Sequence, residues 1–101
     1  MASLSISSTP SPKEERVFDS ASVVSATTTT GSLLAANALR TAAAIQNRGN
    51  KSVFVSFGAT ATAATGVEVT GGSTYFEENY KGELSVIADS GSQDVFVVEF
   101  V

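Results

Sequence analysis

Histidine, cysteine and tryptophan are absent from this 101-residue chain, and proline occurs only twice. Without histidine and cysteine, the commonest general base, the commonest metal ligand and the thiol nucleophile are missing, and no serine or threonine has an imidazole to activate it. The lack of cysteine also excludes a disulfide-stapled miniprotein and a thiolate metal site. Basic side chains are few: six Lys and Arg against ten Asp and Glu give a formal charge of -4. No basic cluster offers the phosphate neutralisation on which nucleic-acid affinity rests, so nucleic acid is not an expected partner. Long apolar runs are missing too. None approaches the ~20 residues that cross a bilayer, and the start, MASLSISSTPSPKEER, lacks the cationic head and apolar centre of a secretion signal. The expectation is one soluble domain, made in a cytoplasm, with no membrane partner.

The carboxylates offer little chemistry in their place. Glu14-Glu15 and Glu77-Glu78 are adjacent pairs, and neighbours in a strand point to opposite faces, so neither doublet makes the opposed pair that glycosidase chemistry needs. Asp89 and Asp94 bracket the turn DSGSQD, which lacks the acidic density of an EF-hand loop. GATATAATG and GGSTYF contain glycine but no lysine and no following helix pattern, so they are not phosphate loops. Asn50-Lys51-Ser52 fits a glycosylation sequon, a chance match in a chain without a secretion signal. No catalytic, metal-ligating or cofactor-binding residue is expected, and an enzyme is not.

What the chain does contain is β-branched and turn residues at short, regular spacing. Residues 1–16 hold both prolines and many serines, with Leu4 and Ile6 as the sizeable apolar side chains besides Met1; such a segment cannot fold by itself. We read residues 1–19 as an extended arm that lays Leu4 and Ile6 on a partner, and residues 20–101 as the folded domain. The run VFDSASVVSATTTT suits one strand or two short ones. GVEVT, STYFEE and ELSVIA follow later as strand candidates, separated by Gly71-Gly72 and other turn residues. This spacing marks a small antiparallel β-sandwich or barrel-like domain, an all-β fold.

Residues 32–47, SLLAANALRTAAAIQN, are ambiguous. Ser32 is a good helix cap, alanine the best helix former, and Asn47 or Gly49 a natural stop. Against a helix, Leu33, Leu34, Leu39 and Ile45 make no sustained stripe at helical spacing. KSVFVSFG alternates, with Val53, Val55 and Phe57 on one face, and RGN supplies a compact turn in which Gly49 takes a positive φ. The expectation is a hairpin in which residues 41–46 run antiparallel to residues 52–57.

The last run, VFVVEFV, is apolar on both sides. Val95, Val97 and Val101 share a face with Glu99, while Phe96, Val98 and Phe100 share the other. A sheet in a small sandwich keeps one face in water, so something must cover the second. Either a long loop or the N-terminal segment covers it, or Phe96, Val98 and Phe100 form a subunit interface. Tyr75, Phe76 and Tyr80 read as core or interface packing, with a small sugar-stacking platform as the alternative.

Arg40, the strand ending Ile45-Gln46-Asn47, the turn at Gly49, the strand ending Phe57-Gly58, the loop closing at Gly66, the Gly71-Gly72 turn and Tyr80-Lys81-Gly82-Glu83 leading to Ile87-Ala88 form a pattern. It resembles a class of small all-β tailed-bacteriophage virion proteins, over residues 40–101. The alanines Ala42-Ala43-Ala44 depart from it, since bulkier strand residues are usual there. The resemblance implies a structural virion protein, such as a capsid cement or decoration protein on the capsid surface, and brings no catalytic residues. The expected partners are the major capsid protein or another virion protein, and further copies of the chain, a trimer being favoured over a dimer. The alternative is a tail, neck or fibre module that binds a carbohydrate or receptor.

Overall fold

The structure, a computed structural model, describes residues 16–101. Among the described residues there are eight strands: β1 (Phe18–Ala26), β2 (Gly31–Leu34), β3 (Ala42–Asn47), β4 (Val53–Phe57), β5 (Val67–Val69), β6 (Thr74–Glu77), β7 (Leu84–Ala88) and β8 (Gln93–Phe100). They form two four-stranded antiparallel sheets, with orders β1-β8-β3-β6 and β2-β7-β4-β5. The fold is therefore an all-β sandwich rather than a closed barrel. β1 begins at Phe18, ahead of the boundary expected at residue 20, and Val17 already exchanges two backbone hydrogen bonds with Val101.

Strand alternation builds the core. Ile45, Val53, Val55, Val69, Leu84, Val86, Val95 and Val97 are buried between the sheets, with Ala26, Leu33, Ala43 and Ala88 filling the gaps. Branched side chains pack well on a pleated surface, and this core is made almost wholly of them. None of the six phenylalanines or two tyrosines belongs to it. Each keeps part of its surface in solvent.

The alanine run is a strand, as expected, but the hairpin is not there. β3 pairs with β8 and β6, whereas β4 pairs with β7 and β5 in the other sheet. Residues 48–52 are thus an arch that carries the chain across the sandwich. The reason is burial: Ala43 and Ile45 on one strand and Val53 and Val55 on the other face each other across the core, which hides both apolar faces. Gly49 does not take a positive φ, in contrast to Gly58, Gly72 and Gly91. It is needed for space, because a Cβ there would stand 1.8 Å from Gln93 Oε1. That oxygen accepts the N–H groups of Asn50 (3.1 Å) and Lys51 (3.3 Å) and so closes the arch.

Two buried polar side chains lock the connections. Arg40 donates from Nε to Glu99 Oε2 (2.8 Å), from Nη1 to the carbonyls of Tyr80 (3.2 Å) and Gly82 (2.8 Å), and from Nη2 to that of Ala35. Lys81 Nζ in turn donates to the Arg40 carbonyl, and Asn37 Nδ2 to Glu99 Oε2. Ala43 lies directly across from Glu99 in the β3–β8 register, so the smallest chiral side chain stands beside this ion pair. Asn47 donates from Nδ2 to Lys51 O (2.7 Å) and Val69 O (2.9 Å), and its Oδ1 accepts the Gly49 N–H. The short motif at Arg40, Asn47, Gly49 and Tyr80-Lys81-Gly82 is therefore a set of fold-closing contacts.

Candidate functional site

The two sheets treat their outer faces differently. On the β2-β7-β4-β5 sheet, Ser56 and Ser85 lie opposite one another on the outer side and are buried. The loop of residues 58–66 lies over them: a Cβ on Gly66 would stand 2.9 Å from Phe54 Cβ and 3.1 Å from Ser56 Oγ. Ala61 in that loop is buried, and its N–H donates to Thr30 Oγ1 at 2.7 Å. The loop backbone thus covers this part of the face, while Phe54 and Ile87 beside it are half-buried.

The β1-β8-β3-β6 sheet keeps an apolar outer face. Phe96, Val98 and Phe100 project from the central strand β8 and are half-buried, opposite Gln46, Ala44 and Ala42 of β3. Their other neighbours, in register, are Val23, Ala21 and Phe18 of β1. Phe18 is 60% exposed, Val23 53% and Phe76 of β6 45%. Apolar area of this kind left in water is unfavourable by roughly 25 cal/mol per Å². The alanines make the middle of the face shallow between aromatic margins.

Two arginines rest on those margins. The Arg48 guanidinium stands 4.1 Å from the Phe96 ring centre, its Nε donating to Gln46 Oε1. Arg16 lies 5.3 Å from the Phe76 ring centre and pairs with Glu78 at 2.7 Å, while Phe76 meets Phe100 edge to face at 6.5 Å. Phenylalanine and arginine are the residue types enriched where protein surfaces meet.

Strand alternation sends Tyr75 and Glu77 to the other side of β6 from Phe76. There an open groove of about 490 Å³ is lined by Phe57, Tyr75, Glu77, Asn79 and Tyr80. Phe57, the last residue of β4, and Tyr80 touch with ring centres 4.9 Å apart and planes at 60°. Tyr75 Oη donates to Glu77 Oε1 (2.7 Å), and Glu77 Oε2 accepts the N–H groups of Asn79 (3.0 Å) and Tyr80 (3.1 Å). The hydrogen bond from Tyr75 holds the Glu77 carboxyl below its ordinary range, aided by the backbone N–H groups and opposed by burial. Burial, followed by the bond to Glu77 and its charge, pushes the Tyr75 phenol up to about 12. Gly82 packs against this ring, and a Cβ there would stand 2.5 Å from Tyr80 Oη.

Of the residues singled out from sequence, Phe96, Val98 and Phe100 come together on one face. Tyr75 and Tyr80 meet in the groove, but Phe76 does not join them. Leu4 and Ile6 lie outside the described residues. Phe57 was missed as a groove residue, although its place at the end of an alternating run just before a glycine is visible in KSVFVSFG. Arg16 and Arg48 carried no signal, since their roles depend on which strands become neighbours. Among the described residues no three acidic side chains gather to hold a metal ion. Comparison with family models, with curated proteins and with solved structures yields no match.

Proposed function

We propose that this chain is a structural virion protein of the cement or decoration type, which binds the outer surface of a capsid and stabilises it as a homo-oligomer. One observation supports the reading: among the described residues the outer face of the β1-β8-β3-β6 sheet is apolar, with exposed Phe18, Val23 and Phe76 around the half-buried Phe96, Val98 and Phe100. A domain of this size gains little from a single core, and covering this face with a second copy supplies stability it otherwise lacks. The resemblance of residues 40–101 to small all-β tailed-phage virion proteins supports the same reading.

The mechanism is mechanical. Each copy bridges capsid subunits, and weak individual contacts are multiplied on a repeating lattice. Residues 1–15 precede a point, Arg16, that already lies on the apolar face through Phe76 and Glu78. We assign the arm, with Leu4 and Ile6, to the capsid contact, and favour a trimer because trimers suit the threefold positions of an icosahedral shell.

The test is the mass of the purified protein in solution, followed by co-sedimentation with capsids that lack it. A stable oligomer that saturates capsids at a fixed copy number is expected, and removal of residues 1–15 is expected to abolish capsid binding while the domain stays folded. A monomer that does not sediment with capsids would overturn the reading.

A further inference from the structure

The groove on the opposite side of β6 is not used by that reading, and its lining has a chemistry of its own. Phe57 is 48% exposed although it projects from a core strand. It only partly closes the side of the sandwich, and together with Tyr80 it makes one continuous apolar surface. Beside that surface stands a carboxylate already fixed in position. Tyr75 Oη and the N–H groups of Asn79, Tyr80 and Glu78 hold this carboxylate of Glu77 in place and take up the four or so acceptor sites it offers. The exposed Asn79 amide adds a donor and an acceptor at the rim.

We propose that this groove binds a neutral pyranose residue of a glycan. The C–H face of the sugar ring lies on the exposed Phe57 ring with its edge against Tyr80, and a hydroxyl at its rim pairs with the Asn79 amide. An exposed ring with a second ring tilted 60° beside it, flanked by a few fixed polar groups, suits a ligand with one apolar face and a polar rim. A quaternary ammonium ion is disfavoured, because it needs aromatic walls standing apart around it, and rings 4.9 Å apart leave no such gap. Hydrolysis is not implied: Glu77 has no second carboxylate opposite it in the groove, since Glu78 faces Arg16 on the other side of the strand. Because the apolar sheet face and the groove lie on opposite sides of β6, glycan binding does not depend on the oligomer.

The experiment is a titration of the full chain with methyl glycosides of glucose, galactose, mannose and N-acetylglucosamine, followed by backbone amide shifts in NMR, with tetramethylammonium as the cationic probe. At least one glycoside is expected to shift the amides of residues 57, 75–77, 79 and 80. Phe57→Ala should weaken that binding by about tenfold, and Asn79→Ala should weaken it while leaving the spectrum otherwise unchanged. Asn79 lies at the surface, whereas half of Phe57 is packed, so the Phe57→Ala spectrum away from the groove must match the parent's for its binding to be read. Absence of shifts with every glycoside, shifts confined to other residues, shifts with tetramethylammonium alone, or full binding by Phe57→Ala would each overturn the proposal.

Discussion

Arg40 is the residue on which most of the chain's long connections meet, since its guanidinium joins the β2–β3 loop, the β6–β7 loop and Glu99 of the last strand. Replacing it with methionine keeps the volume but leaves Glu99 buried without its partner. Breaking a buried pair from one side costs about 3–5 kcal/mol, a large share of what a domain of this size has. Arg40→Met is therefore expected to lower the urea midpoint severely or to prevent folding, and a midpoint unchanged from the parent would refute the role. The Tyr75–Glu77 bond predicts a pH profile. Glu77 is depressed in the folded chain, so its contribution is present above its ordinary value of 4.5 and is lost as pH falls through the folded value. Tyr75 is raised, so its contribution is full below its ordinary value of 10.0 and disappears as pH climbs to about 12. The stability gap between the parent and Tyr75→Phe should thus be widest between pH 4.5 and pH 10 and narrow at both ends, as read by urea midpoints. A gap of equal size in acid and alkali would show that the bond does not link to protons.

At the level of elements, the strands were legible and their partners only in part. VFVVEFV announced a two-sided apolar strand, and β8 is indeed central, between β1 and β3. The alternation in KSVFVSFG likewise placed Val53 and Val55 inside. What alternation cannot reveal is whether two successive strands lie side by side or face to face, because both arrangements bury the same side chains. That ambiguity made the β3–β4 arch look like a hairpin. The partners of Arg40 and the assembly of the groove were hidden for a related reason, since they join residues 40, 42 and 59 positions apart. The outer face of β8 allows a test of the interface. Val98→Lys puts a charge at the centre of the apolar face, where a lone side chain can extend its ammonium into water but a second copy cannot cover it. The variant should keep the parent's circular dichroism and sediment as a monomer; an oligomer of unchanged mass would locate the interface elsewhere.

For the whole molecule, the apolar outer face that the described residues form on the β1-β8-β3-β6 sheet bears on how stability responds to concentration. If copies associate through the open face, folding and association are linked, and the melting temperature must rise with protein concentration. A melting temperature that stays constant over a hundredfold dilution would mean that the folded domain is self-sufficient. The strand order has a further consequence, for the time at which the fold can exist. Among the described residues only the β4 to β5 connection stays within one sheet, and the last strand supplies the middle of the β1-β8-β3-β6 sheet. Until β8 emerges from the ribosome, β1 has no neighbour and β3 has only one. The domain therefore cannot fold stepwise during synthesis and must wait for its final strand. Such distant pairings close in roughly milliseconds to seconds, a window in which unpaired edges and apolar strands of nascent copies are open to one another.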